Sequence, residues 1–251
     1  MKLIIKLIKS VFIILGIFFF ISFIAGLFKN NQSDNNKPFG NEFCRRVEPY
    51  SYSNQLKRSI SLVIERYEKS NWDWVKEEGS QYKKISNCID IEYSDLSSIG
   101  AEGVFQFDEN ESTPENLIIL VDQNYTNLDD LSSALLLSHE LTHAWQFVRE
   151  YYGGSKIDCV QKETEAYSRQ ALFAQMLNKE ESSSIISRIE MRNSNSGQIN
   201  FYEQLVEWMY QASISCKNND VFDQKCLLYE LTKNIKTWVI SQPIYQKQCE
   251  I

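Results

Sequence analysis

Residues 11–28, VFIILGIFFFISFIAGLF, make an uninterrupted uncharged run of eighteen residues. A helix built from them has no polar face to offer water, and it is long enough to cross the hydrocarbon core of a bilayer. Lys2, Lys6 and Lys9 precede the run, which predicts a cytoplasmic N-terminus and export of all that follows. A cleaved secretory signal has a similar charged start and apolar middle. The segment ends in Phe23-Ile24-Ala25-Gly26-Leu27-Phe28, without small residues at cleavage-site spacing, and this favours an uncleaved anchor. The expected organisation is a membrane anchor at 1–28, a polar linker at 29–42 containing Pro38 and Gly40, and one domain at 43–251. That domain is expected outside the cytoplasm, in a periplasm or at a cell surface. Secretion after cleavage is the alternative.

Export gives the cysteines a meaning. All six (Cys44, Cys88, Cys159, Cys216, Cys226 and Cys249) follow the apolar run, and an even number in an oxidising compartment suggests disulfides. Spacing does not select a pairing in general. Cys216 and Cys226 flank the polar stretch KNNDVFDQK and are read as a local bridge. No pair has C-x-x-C spacing, which argues against a structural zinc knuckle. The net charge of −7 and the lack of a long Lys/Arg run argue against nucleic acid as a partner.

The pattern along the domain predicts an α+β fold that is mostly helical. Leu56, Ile60, Val63, Ile64 and Tyr67 recur at helical spacing, and a second helical piece is expected over 72–78. Three short segments then read as strands: Ile89–Tyr93, Gly103–Asp108 and Glu115–Asp122, together a small sheet with a hairpin in it. Asn127 to Asp130 supplies a helix start, and that helix is expected to reach Glu150 before Gly153-Gly154. Further helices are expected over 161–178, 199–213 and 221–240.

Inside the helix that begins near Asp130 stands His139-Glu140-Leu141-Thr142-His143. Residues four apart share one face of a helix, so both imidazoles can reach a single metal ion. Glu140 is offset around the helix, which suits a base acting on water rather than a ligand. These are the only two histidines in the chain. Chance would place two histidines at this spacing in about one case in a hundred, before asking for the glutamate between them. A catalytic zinc takes three protein ligands and keeps one position open, so the third must be a carboxylate or a thiolate. Gln146 and Arg149 occupy the positions where a metzincin has Gly and His. The nearest downstream candidates lie in Gln161-Lys162-Glu163-Thr164-Glu165-Ala166-Tyr167.

From about Leu128 to Ala171 the chain resembles the gluzincin branch of the zincin metallopeptidases. The resemblance implies a zincin-like domain in which Zn²⁺ is held by His139, His143 and a glutamate on the following helix. Glu163 matches that glutamate, with Ala166 three residues on and Tyr167 four residues on, where Asp or Asn is usual. Glu165 is the alternative ligand, with the poorer followers Ser168 and Arg169. Glu140 would be the general base. Tyr167 is read first as packing on the active-site helix, with a hydrogen bond to a ligand or to the reaction's oxyanion as the functional alternative; the oxyanion role is also open to Tyr151, Tyr152 and Tyr202. By the same resemblance, Leu117–Val121 would pair with an extended peptide or protein substrate. Two rivals stand beside this peptidase reading: a zincin-fold binding or scaffold protein without catalysis, and a structural metal closed by Cys159.

Overall fold

The computed structural model describes residues 53–107, 113–114, 116–191, 204–205, 207–208, 210–212, 214–218, 221–222 and 224–251. The anchor and linker expected at 1–42 lie outside these residues. Among the described residues, no helix is long and apolar enough to cross a membrane.

The domain is α+β and mostly helical. Its elements are α1 (Asn54–Glu68), α2 (Asp73–Ser86), β1 (Ile89–Ser94), β2 (Gly103–Gln106), β3 (Leu117–Asp122), α3 (Asp130–Tyr151), α4 (Cys159–Gln175) and α5 (Lys179–Met191). There follow the short β4 (Lys217–Asn218) and β5 (Val221–Phe222), then α6 (Gln224–Ser241) and α7 (Pro243–Gln248). α1 buries Leu56, Ile60, Val63 and Tyr67, the stripe its spacing sets, mainly against α2 and α3. Its first turn is closed by the Ser53 hydroxyl, which accepts from the Leu56 N–H. Gly79 lets α2 cross α1 closely, since a Cβ there would lie 2.8 Å from the Tyr67 Cβ.

The sheet runs in the order β1-β3-β2, with β1 parallel and β2 antiparallel to β3. β3 is therefore central, and its backbone is paired on both sides from Ile118 to Val121. This corrects the expectation that Leu117–Val121 would pair with a substrate: a strand with partners on both flanks has no free N–H and C=O row. β2 is an edge.

α3 is the central helix. Asp129 caps it by accepting from the Ser132 N–H at 2.8 Å, and Leu135, Leu136, Leu137, Leu141, Ala144 and Val148 are buried around it. It ends where Gly153 takes φ +92°, a left-handed conformation costly for other residues. After a short turn, α4 begins under the cap of Asp158, which accepts from the Gln161 N–H. α4 runs back along α3: Gln146 meets Lys162 and Glu165, while His139 meets Glu163 and Tyr167.

Several boundaries differ from expectation for local reasons. The helix expected over 161–178 stops at Gln175 and a new one starts at Lys179. There Asn178 and Glu181 exchange side-chain-to-backbone hydrogen bonds at 2.9 and 2.8 Å, a capping box. The helix expected over 72–78 extends to Ser86. Of the stretch between Cys216 and Cys226, residues 217–218 and 221–222 form the β4–β5 hairpin, so the last long helix starts at Gln224.

Cys216 is bonded to Cys226, Cys159 to Cys249, and Cys88 is disulfide-bonded as well; among the described residues no cysteine is free. Cys159 is thus no thiolate ligand, which removes the metal reading that used it.

Candidate metal centre

α3 and α4 bring His139, His143 and Glu163 together, and their donor atoms all lie within 4.8 Å of one another. The two Nε2 atoms are 3.0 Å apart, and each is 3.6 Å from Glu163 Oε2. A tetrahedral zinc site with arms of about 2.0–2.1 Å has ligand atoms about 3.3–3.4 Å apart. A point equidistant from these three donors lies about 2.0 Å from each, the bond length zinc takes with nitrogen and oxygen. The donor set and its spacing therefore fit a divalent cation such as zinc. All three side chains are largely buried, so the site is screened from bulk water.

His143 is held by a chain of polar contacts. Gln146 donates from Nε2 to the Lys162 carbonyl and to Glu165 Oε2, at 3.0 and 3.1 Å, and so presents Oε1 to His143 Nδ1 at 3.0 Å. An acceptor at Nδ1 places a ring proton there and fixes the ring with Nε2 facing His139 and Glu163. Glu165 takes part in this support: Arg149 and Arg169 lie 3.3 and 3.5 Å from its carboxylate. It does not join the donor group. Burial opposes the charge of Glu165, but Arg169 and Arg149 outweigh it and hold its carboxyl below the usual range.

Burial lowers the His143 pKa, and the opposing pull of Glu163, then Glu140, raises it to about 9. Glu163 is the reciprocal case: burial opposes its charge, yet His143 and His139 keep it well below the ordinary carboxylate range. A site that draws protons onto a histidine in this way also draws metal cations, which displace those protons.

His139 has a different setting. Its Nδ1 is buried with no hydrogen-bond partner among the described residues. The Tyr167 ring meets it edge-on, with centroids 4.4 Å apart. The Tyr167 hydroxyl pairs with that of Tyr245 at 2.5 Å.

Glu140 is buried beside the group and faces β2. A Cβ on Gly103 would fall 2.6 Å from Glu140 Oε1, and the Phe105 backbone N–H donates to the same carboxylate. Burial raises its pKa, against the pull of both histidines. Next to it runs a row of aromatic rings. Phe105 contacts Phe107 and Phe147, Phe107 contacts Phe147, and the row continues through Tyr151 to Tyr152. Phe107, Tyr151 and Tyr152 are exposed.

Of the tyrosines proposed for an oxyanion, Tyr151 and Tyr152 lie in this exposed row, Tyr167 lies on His139, and Tyr202 is outside the described residues. Sequence reasoning missed Gln146 as a support, although its i+3 spacing from His143 was a usable signal. It also missed Gly103, Tyr245 and Gln248. Gln248 donates to Glu163 Oε1 at 3.1 Å, and nothing local in the sequence points to it.

No family model, curated protein or solved structure matches this chain.

Proposed function

We propose that this domain is a zinc-dependent metallopeptidase of the gluzincin-like type. We further propose that the apolar segment at 11–28 anchors it to a membrane with the domain outside the cytoplasm. The observation that carries the reading is the triangle of His139, His143 and Glu163 donors at ligand spacing, with Glu140 adjacent but outside it.

Zinc held by these residues supplies Lewis acidity toward a peptide carbonyl and toward water. Glu140 takes the proton of the attacking water and passes it to the leaving amine. The Phe105 N–H and the bare backbone of Gly103 hold that carboxylate in place. β2, an edge strand whose backbone already touches Glu140, can pair with an extended peptide by strand addition. The row of rings beginning at Phe105 and Phe147 supplies an apolar wall for substrate side chains next to that strand.

The test is hydrolysis of a denatured protein by wild type and Glu140→Gln, each with and without a chelator. Expected is a fall of about 10²–10⁴-fold in kcat for the variant, unchanged zinc content, and loss of wild-type activity with the chelator. Hydrolysis by Glu140→Gln at the wild-type rate ends the peptidase reading. Zinc binding without hydrolysis in the wild type would instead favour a binding or scaffold protein on the same fold.

A further inference from the structure

α7 is fastened to α4 by three side-chain bonds in a row. α4 presents Cys159, Glu163 and Tyr167 at successive four-residue steps, which lie along one helix face. α7 and the residue after it present Tyr245, Gln248 and Cys249 within about one turn. Cys159 is disulfide-bonded to Cys249, Glu163 Oε1 accepts from Gln248 Nε2 at 3.1 Å, and the Tyr167 and Tyr245 hydroxyls stand 2.5 Å apart. Numbers rise along one helix as they fall along the other, so the three bonds form an antiparallel ladder.

The ladder fastens α7 to α4. No residue of the helix is buried; α7 also follows directly on α6, where Gln246 Nε2 donates to the Ile240 carbonyl at 3.0 Å and Tyr245 meets the Trp238 ring edge-on. Its middle rung falls on the candidate ligand. Glu163 directs Oε2 at both imidazoles while its other oxygen is taken by Gln248. A carboxylate with both oxygens free can give both to a cation. One oxygen tied to an amide donor leaves a single oxygen to give, and the site keeps an open position.

We propose that Gln248 is a positioning residue that restricts Glu163 to one-oxygen metal ligation, and that the Cys159–Cys249 disulfide keeps Gln248 there, so that the metal site depends on an oxidised bond. This rests on the metal reading above.

The test uses the full chain in detergent. Zn²⁺ affinity is measured by competition with a chromophoric chelator, and coordination by the visible absorption of the Co²⁺ form. Gln248→Ala is expected to weaken Zn²⁺ binding about 10-fold or more, and its Co²⁺ bands to lose intensity as the coordination number rises above four. Lys247→Ala, one residue away on the same helix, should change neither. Cys159→Ser with Cys249→Ser, or reduction of the folded wild type, should reproduce the Gln248→Ala result. Combining the cysteine and glutamine changes should add little to either alone, because both act through one contact. Wild-type affinity and spectrum in Gln248→Ala overturn the inference and leave the metal reading standing. Effects of the two changes that add in full overturn the link to the disulfide. A wild-type chain that binds no Zn²⁺ overturns the metal reading, and the inference with it.

Discussion

The two imidazoles of this site stand one helical turn apart and are held by opposite kinds of interaction. His143 rests on a buried polar chain that passes through Gln146 and Glu165 to Arg149, Arg169 and Glu78. His139 rests on an aromatic edge, Tyr167, with its own Nδ1 satisfied by no described group. The polar side fixes direction, since a hydrogen bond sets both the tautomer and the rotation of a ring. The aromatic side fixes position only, by filling space. A site built this way has one imidazole oriented in advance and one confined by packing. That difference can be broken by experiment from either side.

The largest effect is expected at Arg169. It donates to Glu78 at 2.6 and 2.9 Å and lies against Glu165, so Arg169→Met leaves Glu78 without its counter-charge and Glu165 with Arg149 alone. Removing one partner of a buried ion pair costs roughly 3–5 kcal/mol, and urea unfolding should show it as a lower midpoint. An unshifted midpoint would mean that the polar chain does not hold this side of the site.

Next comes Gln146→Leu, which preserves bulk and removes the acceptor at His143 Nδ1. Zinc affinity should fall roughly 10–100-fold, read by chelator competition on a protein whose circular dichroism is unchanged. Equal affinity in the variant would make the two histidines equivalent, and the comparison would collapse.

The smallest effect is expected at Tyr167→Phe. The ring edge on His139 survives, and the hydroxyl contact with Tyr245 is lost. Stability should change by about 1 kcal/mol, with zinc affinity unaltered. A tenfold loss of affinity would show that the hydroxyl, not the ring, supports His139.

What could be read in the sequence was what is local in the chain. The i,i+4 spacing of His139 and His143 and the apolar flanks of α3 belong to one helix, so the motif and its burial were legible together. The three strand segments were visible as alternation, whereas their order β1-β3-β2 was not, because pairing between distant segments leaves no periodic mark. The resemblance put the substrate on β3, and without the strand order nothing showed that this strand is paired on both sides. Glu163 and Glu165 illustrate the same limit two residues apart. Both open the same helix, and although the followers Ala166 and Tyr167 favoured Glu163, the cations Arg149 and Arg169 that draw Glu165 into a supporting role lie beyond what local spacing records. The break between α4 and α5 was signalled by Asn178 and Glu181 and was overridden by a continuing apolar pattern. The contacts of α7 join positions far apart in the chain, where spacing carries no information at all.

Gly103 gives the site an unusual vulnerability. The atom that a new methyl group would strike is the tip of the Glu140 side chain, which can swing away at little cost to the fold. On the proposed reading, Gly103→Ala should displace the Glu140 carboxylate while leaving His139, His143 and Glu163 together. On that reading, hydrolysis and metal capture are separable by one carbon atom.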